Sequence, residues 1–233
     1  RRGPSSTASV PWSPPAGSHS MTRIHMAGAG GLLLDAADGA FNDMTQRRIW
    51  ATSRELNARA DIVQTIPGVN NLLVMFDAAE TDPATMETLL RDVWTQASAD
   101  EIPTREIVVP VVYGGTFGED LALVARFANL TEEETVEVHM AGRYSVAAIG
   151  AMAGFVYLTG LDPRLAVPRR DSPRLRVEKG AVVIGGGHAG MMPCTSPSGW
   201  HILGRTDLCL FDAFRPEPGL LRLGDTVRFV RAS

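Results

Sequence analysis

Four arginines crowd one short stretch, at Arg169, Arg170, Arg174 and Arg176, with Ser172 and Pro173 among them. A guanidinium is a rigid fork of donors that matches carboxylate or phosphate, and a charge-assisted contact of that kind contributes about 1.5–3 kcal/mol. Downstream, Gly185, Gly186 and Gly187 bare the backbone, and His188 follows them. Successive N–H groups there would form a nest for an oxyanion. Ser196, Trp200, Arg205 and Thr206 close the stretch that began at Leu161. Few of these residues suit a packed core, and the prolines and glycines break regular elements. Together they read as a site for a small anionic ligand or an acidic partner surface, with arginines suited to carboxylate or phosphate beside a bared backbone. Plainer readings stand beside this one: a solvated basic loop, a glycine bulge or barrel corner, a structural His188, a core Trp200, and an internal pairing of Arg205 with Thr206.

The elements that must hold these residues can be read by period. A first strand spans 24–36. Asn42 and Asp43 start a helix that runs to about Asn57. Ile62 to Ile66 and Leu72 to Phe76 flank Pro67-Gly68-Val69-Asn70-Asn71 as a hairpin. Asp82-Pro83 opens a second helix, whose apolar face is Met86, Leu89, Leu90, Val93 and Trp94. This small α+β unit ends near Ser98, and Ala99 to Thr104 is a polar hinge. Beyond it come a strand over Glu106–Tyr113 and a helix over Asp120–Ala128 with Leu121, Val124 and Phe127 inward. A capping box at Thr131 and Glu134 starts another short helix. Strands follow at Tyr144–Ile149, Gly180–Ile184, Ile202–Leu203, Leu208–Phe211 and Thr226–Val230. Many short strands between Gly/Pro turns predict a closed barrel.

Composition narrows the classes. The formal charge is −4, and −6 without Arg1 and Arg2, so nucleic acid is a poor partner. The two cysteines, Cys194 and Cys209, are too few for a disulfide framework and point to a reducing cytoplasm. No apolar run reaches the roughly 20 residues of a membrane helix. The histidines are scattered without metal-ligand spacing, so no metal is expected. No motif marks Cys194 as a nucleophile. The glycine triplet is neither a Walker loop nor a dinucleotide fingerprint, because no helix pattern follows it. Residues 1–20, with Gly17-Ser18-His19-Ser20 before Met21, read as an expression tag, expected to be disordered.

Three runs, GLDPRLAVPRRDSPR, VVIGGGHAGMMP and SPSGWHILGRT, resemble the family of 5-oxoprolinase B subunits, which includes sporulation-kinase inhibitors and the former allophanate hydrolase subunit 1. The stretch is also similar to one half of the carboxyltransferase domain of urea carboxylases. The resemblance covers roughly Ile24 to Val230. It implies an α+β fold: a small N-terminal α/β sandwich-type domain at 21–99, then a cyclophilin-like β-barrel domain at 105–233. It implies one subunit of an ATP-dependent 5-oxoprolinase, with a C-type partner (like allophanate hydrolase subunit 2) and a larger A-type one. ATP would be a co-substrate of that complex, with no cofactor bound tightly. Under this reading Arg170, Arg174 and His188 are catalytic. Arg169, Ser172, Gly185, Gly186, Gly187, Ser196, Trp200, Arg205, Thr206, Phe155 and Tyr157 bind substrate. The alternatives are inhibition of a sensor histidine kinase, action on urea-like amides, and, by fold analogy alone, prolyl isomerisation. His188 stands where the family usually has Gln, and its charge would vary near neutral pH. Ser198 replaces a glycine, adding a side chain where positive φ is expected. Ala151 and Ala153 replace an aromatic residue and a proline.

Overall fold

The computed structural model describes residues 22–39, 41–99 and 105–232. The tag region and most of the expected hinge lie outside them. The first unit is an antiparallel sheet of β1 (Arg23–Met26), β2 (Gly31–Asp35), β3 (Gln64–Pro67) and β4 (Asn71–Met75), in the order β1-β2-β4-β3. Two helices, α1 (Asp43–Asn57) and α2 (Pro83–Gln96), cover one face of it. Strand alternation puts Leu32, Leu34, Leu72 and Val74 on that face, against Ile49 and Leu56 of α1 and Met86 and Leu90 of α2. The caps are those the sequence announces. Asn42 accepts from the Thr45 amide at 2.8 Å, and Asp82 from the Thr85 amide at 3.0 Å, with Pro83 in the first turn.

The second unit contains β5 (Glu106–Tyr113), α3 (Leu121–Ala128), α4 (Glu132–Ala141), β6 (Tyr144–Ile149) and β7 (Val156–Thr159). It continues through β8 (Arg174–Val177), β9 (Ala181–Gly185), β10 (His188–Met191), β11 (Ser196–Ser198), β12 (His201–Arg205) and β13 (Thr226–Arg231). Among the described residues seven strands close a barrel in the order β10-β7-β6-β13-β5-β12-β9, and β8 pairs with β11 outside it. The β5–β13 pair is parallel and the other barrel pairings are antiparallel. Val109, Val111, Val146, Leu158, Val182, Ile184, Val227 and Phe229 fill the interior. The expected capping box opens α4, with both Thr131 and Glu134 bonds present.

Gln46 of α1 joins the two units. It is wholly buried, donates to the carbonyls of Gly68 and Ala147 at 3.0 Å each, and accepts from the Asn70 amide at 2.6 Å. Trp50 Nε1 also donates to the Ala147 carbonyl, at 3.0 Å. Among the described residues no helix is long and apolar enough to cross a membrane.

Three local expectations are corrected. The strand expected over 24–36 is two strands. Gly28 takes φ +80 in the turn between them, and a side chain at Gly31 would strike the Ala27 carbonyl. Leu208–Phe211 is not a ladder strand; it has only an isolated bridge between Phe211 and Gly219. Its apolar character comes from Leu210, which enters the barrel core with Leu221. Phe127 is exposed rather than inward. The buried stripe of α3 is Leu121, Val124 and Ala125, and helical geometry puts Phe127 about a third of a turn away from it.

Candidate functional site

The arginine loop lies against the outer wall of the barrel. Its backbone is fixed by three bonds across 167–170. The Gly186 amide donates to Val167 O at 2.8 Å, His201 Nε2 meets Pro168 O at 2.8 Å, and the Arg170 amide donates to Gly199 O at 2.8 Å. The outward side chains of the barrel wall form a second apolar cluster of Phe155, Val183, Met192, Trp200 and Ile202, with Tyr157 packed against it. Phe155 and Tyr157 meet edge to face at 5.1 Å between ring centroids, and Tyr157 and Trp200 are 5.9 Å apart. The Arg169 guanidinium lies 5.3 Å over the Trp200 ring, a cation–π geometry. Among the described residues Arg169 has no carboxylate within salt-bridge distance.

Asp120 organises Arg170 and Arg174, a role that no motif marks. A turn that puts Gly114 at φ +70 and Gly115 at φ +54 leads into α3 and sets Asp120 beneath β12. The carboxylate is almost fully buried. It accepts from Arg174 at 2.8 and 2.9 Å, from Arg170 at 3.4 Å and from the Ile202 amide at 2.8 Å. Burial pushes its pKa up, but the Arg174 fork and the Ile202 amide outweigh that and leave it below the usual carboxylate range. Arg174, held by Asp120 and by Glu119 at 3.3 Å, is raised in turn. The one available clue was an acid after the glycines at 114, 115 and 118, in a chain with surplus arginines further on.

The remaining expected residues divide accordingly. Arg174 is engaged by Asp120, so its fork is not open to a ligand, and Arg176 pairs with Glu178 at 2.6 Å. Arg170 keeps a buried Nε with no partner among the described residues. Ser172 is exposed. Gly185 carries no Cβ because Trp200 lies 3.0 Å from where one would sit. Gly186 and Gly187 form the turn joining β9 to β10, with Gly186 at φ +58. Because the Gly186 amide is bound to Val167, the expected run of inward N–H groups is broken. His188 is half-buried, with an unpartnered Nε2, and its ring is 6.3 Å from Tyr157. Burial, then the charge of Arg169, pulls its pKa below the ordinary histidine value. Both effects favour the neutral ring.

Ser196 is half-buried beside Met152, at 3.6 Å. Arg205 pairs with Asp207 at 3.4 Å, and Thr206 is buried and accepts from the Leu208 amide at 3.4 Å, so both are engaged internally. Ser198 is outside the left-handed region, so its side chain adds no backbone strain; its Oγ accepts from the Trp200 amide at 3.2 Å. The left-handed position is Ala151 instead, at φ +66 in the β6–β7 turn. Two cavities, of about 710 and 330 Å³, lie away from the arginine loop, where Arg169 is exposed, His188 and Tyr157 are half-buried and Trp200 is buried.

A family model described as "Carboxyltransferase domain, subdomain C and D" matches residues 22–221. The B subunit of 5-oxoprolinase from Escherichia coli O157:H7 is 43% identical over 80% of this chain and 85% of its own. This chain belongs to the family of 5-oxoprolinase B subunits. The corresponding protein of Haemophilus influenzae is 41% identical over 79% of this chain and 86% of its own. The solved structure of TTHA0988 superposes with a TM-score of 0.76 at 31% identity, covering 87% of this chain and only 40% of that longer one.

Proposed function

We propose that this chain serves as the B subunit of a multi-subunit 5-oxoprolinase, which opens the cyclic amide of 5-oxoproline to glutamate with hydrolysis of ATP. The observation that carries the reading is the exposed cation of Arg169, held over Trp200 with no carboxylate partner among the described residues. In this reading the exposed Arg169 holds the substrate carboxylate, with Arg170 held beside it by Asp120. Neutral His188 donates a hydrogen bond to the lactam oxygen, as the family glutamine would. Asp120 touches no substrate and positions Arg170 and Arg174. A C-type partner would supply a further side of the site. The 40% coverage of TTHA0988, where further chain accompanies the matching domain, supports such a partner. A larger A-type subunit would complete the complex, and ATP is its co-substrate.

The test is co-expression with A- and C-type subunits and measurement of ATP-dependent glutamate release from 5-oxoproline. Arg169→Ala and Arg170→Ala should lower kcat/KM by about tenfold or more with the complex intact. Unchanged turnover in both would remove the loop from the mechanism. The second reading is docking to a sensor histidine kinase, to which the exposed Leu175 and Phe214 would offer apolar contacts. Stable kinase binding, with no glutamate release from the reconstituted complex, would replace the first reading by the second.

A further inference from the structure

The cavity of about 710 Å³ lies at the seam between the two units, away from the arginine loop. That volume is within the roughly 300–1,000 Å³ of small-molecule sites, which favour domain junctions. One wall is α1, with Asp43, Arg47 and Trp50. The opposite wall is the end of α4, the start of β6 and the start of β13. Each of three segments contributes one arginine: Arg47 from α1, Arg143 from the α4–β6 loop and Arg228 from β13. Arg47 pairs with Asp43 at 2.7 Å and Arg228 with Glu106 at 3.2 Å. Both carboxylates are more than half exposed, and pairs of that kind are readily exchanged for another anion. Arg143 has no acidic partner among the described residues, so the lining carries one uncompensated positive charge. Ser145 adds a hydroxyl to the same wall. The cleft is held in shape because Gln46 and Trp50 both bond the Ala147 carbonyl.

From this convergence we infer a second ligand site: the seam cleft binds a small molecule bearing a carboxylate or phosphate group, with Arg143 as its principal anchor. The forks of Arg47 and Arg228 turn to the same oxyanion when it displaces Asp43 and Glu106. A ligand there touches both units at once and favours the closed seam over any opened one.

The experiment is calorimetric titration and thermal unfolding of the intact chain with inorganic phosphate and, separately, citrate, at constant ionic strength set with chloride. Saturable binding of at least one probe with Kd below about 1 mM is expected, with a matching rise in Tm. Phosphate binding and citrate binding distinguish the two sources of the oxyanion. Arg143→Ala and Arg143→Gln should each weaken binding about tenfold or more, and Arg169→Ala should leave it unchanged. Arg143 is exposed, so neither variant removes core packing. The inference is overturned if neither probe saturates. It is also overturned if both Arg143 variants bind like the wild type, or if Arg169→Ala abolishes binding and so moves the ligand to the arginine loop.

Discussion

Acid should destabilise this protein well above the carboxylate range, and His139 is the reason. Its ring is wholly buried. Nδ1 meets the Tyr113 hydroxyl at 2.8 Å and Nε2 has no partner among the described residues. Phe229 and Tyr144 lie 4.6 and 5.4 Å away between ring centroids. Burial alone holds the His139 pKa down to about 3. An unfolded histidine titrates near 6.5. Between those values the unfolded chain binds a proton that the folded chain refuses. Stability is therefore fully present above about pH 6.5 and falls as pH drops, by about 1.4 kcal/mol per unit, until roughly pH 3. From pH 7.5 to 5.0 the loss is about 2 kcal/mol. Urea unfolding free energies at pH 7.5, 6.0 and 5.0 measure it. His188 acts in the same direction, so the comparison is best made in a His188→Gln background. His139→Gln preserves an acceptor for Tyr113 and should flatten the curve. Asp120, with a lowered pKa, gives stability that persists above pH 4 and is lost only below it, so its effect falls outside this window. An unfolding free energy equal within about 0.5 kcal/mol at pH 7.5 and 5.0 would refute the argument, as would an undiminished slope in His139→Gln.

Asp120→Asn removes the charge that Arg174 and Arg170 share while leaving an acceptor for the Ile202 amide. About 2–3 kcal/mol of stability should be lost in urea unfolding, and a change below about 0.5 kcal/mol would show that the pairing is merely superficial. Gly185→Ala places a methyl 3.0 Å from the Trp200 ring and 3.3 Å from Arg169 Cγ, so one of them must shift. A cost of about 1–3 kcal/mol and altered Trp200 fluorescence are expected, and wild-type stability would mean that the wall yields without strain.

Local rules carried the reading of the elements because caps and periods act over a few residues. Asn42, Asp82 and Thr131 each announce a helix through a bond three residues on, and Leu72 and Val74 show one buried face of a strand by alternation alone. The arginine loop and the glycine triplet were equally visible as a cluster that no core would accept. What the arginines do was not visible. Arg174 and Asp120 are 54 residues apart, and only closure of β12 against β9 and β5 puts that carboxylate beneath the loop. A charge finds its partner through space rather than along the chain. Barrel topology therefore decided that Arg174 is engaged while Arg169 faces no acid among the described residues. It also decided that the Gly186 amide turns to Val167, and that His139 lies sealed beside Tyr113.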